Sequence, residues 1–94
     1  MGEPWFCYLV RCKDDSLYVG VATNVEERIE RHNQGFGAVF TAKRRPVMLL
    51  WKKQYPDQRS ARNRERELKG WRREKKLELV ASGQTLRPLA RFSG

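Results

Sequence analysis

The sequence predicts a small α+β domain: a three-stranded antiparallel sheet flanked by helices in the order β-β-α-β-α-α. Three observations carry that reading. Two short apolar stretches, WFCYLVRC (5–12) and LYVGV (17–21), are separated only by the turn-forming KDDS. A capped, amphipathic helical segment follows at once, and a third apolar run, VMLLWKKQY (47–55), then leads into two more helical segments. With 94 residues and neither repeat nor linker, residues 1–94 read as one domain, with a core of about 5–80 and a C-terminal tail at 83–94.

Each element has a local reason. WFCYLVRC is apolar on both parities, which suits a strand covered on both faces. In LYVGV, Leu17, Val19 and Val21 share one face, and Tyr18 and Gly20 the other. Asn24 followed three residues later by Glu27 is a capping-box-like start, and Gly35 supplies the stop for a helix ending near Asn33. GFGAVFTAKRRP (35–46) reads as a loop with room for one helical turn. PDQRS turns into a helix from about Ser60 that passes Leu68 and Trp71, with a break near Gly70 and a further helix over 73–82.

Composition narrows the partners. Hydrophobic residues make up 39% of the chain and charged residues 33%, with three Trp, three Tyr and four Phe, so a folded globule is expected rather than a disordered chain. A domain this small buries only roughly 60–65% of its unfolded surface, so its core is lean. The net charge of +9 is unevenly placed. Residues 1–30 carry three bases and six acids, net −3; residues 31–94 carry 17 bases and five acids, net +12. Such a region attracts a polyanion, nucleic acid first, although a solvated surface is the plainer alternative. Cys7 and Cys12, on one predicted strand, lie about 16–17 Å apart at strand rise and cannot bridge each other. Two Cys and one His do not make a structural zinc site. Reduced thiols, no signal peptide and no long apolar run together point to the cytoplasm and away from membranes.

Helical angles single out three polar residues. At about 100° per residue, with Arg28 at zero, His32 falls at about 40°, Val25 at about 60° and Ile29 at about 100°. Arg28 and His32 therefore share an edge with the apolar stripe, either as ordinary boundary residues or as walls of a groove. With Ala61 at zero, Leu68 falls at about −20° and Glu65 at about 40°, so Glu65 also lies beside an apolar stripe. A carboxylate there is costly unless it is ion-paired, with Arg62 or Arg64 for example, or holds a divalent metal. Tyr8 and Tyr18 point to opposite faces if a plain four-residue loop joins the strands. A three- or five-residue connection, or a bulge, puts them on one face.

Taken as an ordered set, Tyr8, YVG at 18–20, Arg28 and His32 on the next helix, and Glu65 on a later one resemble the GIY-YIG nuclease superfamily, chiefly its small stand-alone bacterial members. LYVGVATNVEERIERHNQG resembles the family's Tyr-Ile-Gly strand and following helix, FTAKRRPVMLLW its loop and third strand, and RNRERELKGW its metal-binding helix. The resemblance covers about residues 5–80 and implies a GIY-YIG endonuclease-like fold with Tyr8, Tyr18, Arg28, His32 and Glu65 as catalytic residues. One tyrosine would act as, or position, the general base. Arg28 would hold the scissile phosphate, and His32 would relay a proton or bind phosphate. Glu65 would hold one Mg²⁺ or Mn²⁺, and Gly20 would keep the strand end thin. Two departures stand out: the first motif reads FCY, keeping only its Tyr, and Ala22 stands where a hydroxyl residue is usual.

The implied function is metal-dependent hydrolysis of DNA phosphodiesters, with branched or damaged DNA in repair as the candidate substrate and RNA left open. Lys43, Arg44, Arg45 and Arg62 are the candidate phosphate contacts, and Phe36, Phe40 or Trp51 candidate stacking surfaces, Trp51 being the better candidate for the core. A protein partner would supply target choice. The altered first motif and basic C-terminal region also suit a nucleic-acid-binding module of the same fold with little turnover, or, more distantly, an adaptor within a larger complex.

Overall fold

A computed structural model describes residues 3–82; the tail at 83–94 lies outside the described residues. Strands β1 (Trp5–Arg11), β2 (Leu17–Ala22) and β3 (Met48–Tyr55) form one antiparallel sheet in the order β2-β1-β3. Helix α1 (Val25–Asn33) follows the hairpin, the single turn α2 (Val39–Ala42) occupies the loop before β3, and α3 (Gln58–Lys69) and α4 (Arg73–Ser82) complete the chain. The expected fold class is the observed one. The turn α2 falls within the 35–46 loop, which has room for one helical turn; the differences are that Cys12 lies past the end of β1 and that α3 starts ahead of Ser60 because the Asp57 carboxylate caps it by accepting from the Ser60 N–H at 2.8 Å.

The hairpin decides the site. Arg11 pairs with Leu17, leaving the five residues 12–16 as the connection, with Asp15 in left-handed backbone at φ 76°. Tyr8 then pairs with Gly20 and Val10 with Tyr18, so both tyrosines face one side of the sheet. On the opposite side, Cys7, Leu9, Val19, Val21 and Trp51 pack against Ala61 and Leu68 of α3. The tyrosine side packs Tyr8, Val10, Ala22 and Val47 against Val25 of α1. Trp51 is a core residue, as its place in that first cluster requires. The Cys7 thiol, buried and close to Glu65, has its pKa pushed up to about 12, chiefly by burial. Both cysteines are free thiols.

Helix α1 is fixed at both ends. The Asn24 side chain accepts from the Glu27 N–H at 3.0 Å. At the other end Gly35, at φ 94°, sends its N–H to the His32 carbonyl while Phe36 sends its own to the Arg31 carbonyl, a Schellman pair. Asn33 then docks the helix on the sheet: its Oδ1 accepts from Val47 N–H at 2.7 Å and its Nδ2 donates to Val47 O at 3.3 Å.

Candidate active site

The tyrosine face of the sheet holds a continuous polar chain where an apolar core would otherwise run. His32 is 1% exposed and Tyr8 1% exposed. The Tyr8 hydroxyl lies 2.8 Å from His32 Nε2, and His32 Nδ1 lies 2.7 Å from Thr41 Oγ1. Thr41 in turn donates to the Ala38 carbonyl at 3.2 Å. That last bond sets the direction of the others. With its proton committed to Ala38, the Thr41 oxygen accepts from His32 Nδ1–H, and in the neutral ring Nε2 then accepts from the Tyr8 hydroxyl. Burial first and the Arg28 charge second lower the His32 pKa, which favours the neutral ring. Burial, followed by the neighbouring Tyr18, raises the Tyr8 pKa above its ordinary 10, and Arg28 only partly opposes this.

Close approach of backbone makes this chain possible. A Cβ on Gly20 would lie 2.5 Å from the Tyr8 hydroxyl oxygen, and a Cβ on Gly37 would overlap the His32 ring. Tyr18, half-buried, presents its ring edge-on to His32 at 5.3 Å between centroids and stacks on Phe40 at 5.9 Å. Arg28, also half-buried, reaches back from α1 and donates to the Val21 carbonyl at 3.4 Å. Its charge reaches both Tyr8 and His32.

Glu65 approaches from α3, on the other side of the sheet, past the edge strand β2. Its side chain is 15% exposed and pairs with Lys69 at 3.1 Å and Arg62 at 3.7 Å. The Lys69 ammonium also sits 5.8 Å from the centre of the Tyr18 ring, and the Glu65 charge is felt at Tyr8. Glu65 is thus ion-paired, but at the tyrosine end of the sheet rather than away from it. Among the described residues no group of three or more His, Cys, Asp or Glu gathers to cage a metal. One carboxylate held only by two exchangeable side-chain cations nevertheless fits the arrangement in which Mg²⁺ takes a single protein ligand, waters and a substrate phosphate.

Residues 4–78 match the model of the GIY-YIG catalytic domain. The chain belongs to the GIY-YIG family. It is similar to UPF0213 protein SSP2268 of Staphylococcus saprophyticus, 45% identical over 81 residues that span 86% of this chain and 99% of that relative. It is likewise similar to a UPF0213 protein of Staphylococcus aureus, at 47% over 78 residues, spanning 83% and 95%. The solution NMR structure of UPF0213 protein BH0048 from Bacillus halodurans superposes with a TM-score of 0.55 at 37% identity, covering 84% of both chains. Membership in a nuclease family implies a nucleic-acid substrate. No helix among the described residues is long and apolar enough to cross a membrane.

In this GIY-YIG domain Tyr8 and Tyr18 both contact His32, the Arg28 charge reaches Tyr8 and His32, and Glu65 is related to Tyr18 through Lys69. The basic candidates are less uniform. Lys43 is exposed, whereas Arg44 pairs with Asp14 at 3.1 Å, donates to the Phe40 carbonyl at 2.7 Å and covers the Phe40 ring at 4.0 Å. Arg45 donates to the carbonyls of Ala42 and Asn33, and Arg62 pairs with Glu65. Three residues that touch the candidate site are absent from the sequence reading: Thr41 and Gly37 against His32, and Lys69 against Glu65. Gly37 left a faint trace, since a glycine on each side of Phe36 signals backbone passing close to something. Thr41 left none.

Proposed function

We propose that this GIY-YIG domain is a divalent-metal-dependent endonuclease that hydrolyses DNA phosphodiester bonds. The observation that carries the reading is the buried Tyr8–His32–Thr41 chain, with the Tyr18 ring against His32 and the Arg28 and Glu65 charges both acting on Tyr8. Both His32 nitrogens are engaged and its ring is buried, so His32 and Tyr8 serve as positioning residues that hold the more open groups in place. Tyr18, the more accessible phenol, orients the attacking water and would take its proton only as the phenolate. Arg28 binds the scissile phosphate and offsets the negative charge that grows on its oxygens as water attacks. Gly20 lets the substrate backbone come close to the strand. Glu65 would hold a single Mg²⁺ or Mn²⁺, whose chemistry when bound is to polarise the phosphate and stabilise the leaving oxygen. For that to happen, Glu65 exchanges its pairing with Lys69. Lys43 and Arg62 extend phosphate contact outward, while Arg44 and Arg45 shape the loop that carries Thr41. Branched or damaged DNA suits a compact domain of this kind, with target choice shared with a protein partner.

The test is cleavage of nicked, branched and single-stranded DNA by the purified chain with Mg²⁺ or Mn²⁺, beside the Glu65→Ala variant. Metal-dependent products are expected from the wild type alone; equal background from both would remove the catalytic reading. The Lys69 ammonium on Glu65 favours one alternative, a nucleic-acid-binding module with little turnover. It would bind DNA in a salt-sensitive way and give no metal-dependent product.

A further inference from the structure

A cleft of about 460 Å³ opens beside Arg28, bordered by Thr23, Asn24, Glu27, Arg31 and Phe36. Phe36 is 73% exposed, an unusual setting for a phenylalanine in a domain with so little apolar surface to spare. Its backbone is nonetheless fixed, because its N–H closes the end of α1 on the Arg31 carbonyl at 2.9 Å. No ring or cation contact covers it among the described residues. Phe40, the other exposed phenylalanine nearby, differs in this respect: Tyr18 stacks on its ring and the Arg44 guanidinium lies over it. Arg31 is exposed, lies one helical turn from Arg28, and is in no ion pair among the described residues.

We propose that this cleft is a subsite for one unpaired nucleotide of a DNA strand, its base stacked on Phe36 and its phosphate held by Arg31. The subsite rests on the DNA-endonuclease reading of the adjoining site and names the form of DNA it takes: a flap, gap or single-stranded end. Bases within a duplex have both faces covered by neighbours, so only an unpaired base offers a face to an exposed ring. The backbone that carries the ring is held in place beforehand, so less freedom is lost on stacking. Glu27, on the same rim, repels phosphate and so directs the backbone toward Arg31 and Arg28. Its carboxylate is also an acceptor for the exocyclic amine of cytosine or adenine. Because Arg28 belongs both to the cleft and to the proposed phosphate site, the unpaired nucleotide would adjoin the bond to be cut.

Fluorescence anisotropy tests the subsite on the full chain carrying Glu65→Gln, with EDTA present to prevent turnover. The probes are a labelled oligothymidylate, the same strand with abasic positions, and a blunt duplex. Phe36→Ala should weaken oligothymidylate binding roughly 5- to 150-fold, the range for loss of one base–aromatic stack. Phe36→Trp should retain binding, the duplex should be unaffected, and the abasic strand should bind the Phe36 protein as weakly as oligothymidylate binds the alanine variant. Arg31→Ala should lower the salt slope for the single strand by about 0.7, one phosphate's worth. Equal oligothymidylate affinity with and without the Phe36 ring overturns the subsite, as does an equal loss on the duplex, which would mark the ring as merely structural. If the subsite fails while Glu65-dependent cleavage persists, the nuclease reading stands. If cleavage is absent but the Phe36 effect holds, the subsite stands alone.

Discussion

Replacing Thr41 by valine keeps the shape of a fully buried side chain and deletes one oxygen. That oxygen accepts from His32 Nδ1 at 2.7 Å, and His32 has no solvent to turn to at 1% exposure. A buried donor left without a partner costs about 1–3 kcal/mol, more than the net worth of the bond itself. At an m-value of ~1 kcal/mol/M in urea, the unfolding midpoint should fall by about 1 M or more. Valine could also destabilise for reasons unrelated to His32, so the decisive measurement is a double-mutant cycle with His32→Leu. In that background Thr41 has no imidazole to serve, and Thr41→Val should cost little. A coupling of about 1 kcal/mol or more is expected. An equal cost of Thr41→Val in both backgrounds would refute the directional chain from Tyr8 through His32 to Thr41.

Three further outcomes follow from the same geometry. Because the folded-state pKa of His32 is lowered below its ordinary 6.5, the unfolded chain binds a proton more readily. The stabilising effect of keeping His32 neutral is full above about pH 6.5 and is lost as pH falls through the lower, folded-state value; urea titrations across that window should show the loss, and His32→Leu should flatten it, whereas an unchanged slope would contradict the assignment. Gly20→Ala should displace the Tyr8 ring, break its bond to His32 and cost ~1–3 kcal/mol as overpacking, visible as a lower urea midpoint; wild-type stability would show that the strand yields without strain. Lys69→Met should raise Mn²⁺ affinity, measured by calorimetry, by roughly 1.5- to 5-fold, the worth of one largely solvent-screened ion pair; an unchanged or weaker affinity would mean that the ammonium does not compete for Glu65.

Much of this site was legible because its signals are local. The Asn24 cap fixed the helical phase, and the phase placed Arg28 and His32 on the edge of the apolar stripe. The same arithmetic found Glu65 beside Leu68. What was not legible depends on how distant segments meet. Whether Tyr8 and Tyr18 share a face turned on one residue of loop length, and KDDS alone does not announce that Cys12 joins the connection. Thr41 lies nine positions after His32 across an irregular loop, where no periodicity applies. Arg44 and Arg45 read as candidate phosphate contacts because charge is visible in sequence, while the carbonyls of Phe40, Ala42 and Asn33 that engage them are not.

The buried polar chain makes half of the core and the support of the reactive face one and the same object. Loss-of-function screens on this protein will therefore return Tyr8, His32 and Thr41 readily, and many such hits will be chains that no longer fold rather than chains that fold and do no chemistry. A clean inactive control must be sought at the rim. Glu65 is the candidate for that control: its side chain, 15% exposed, is held by Arg62 and Lys69, and Glu65→Gln removes its charge while keeping its shape.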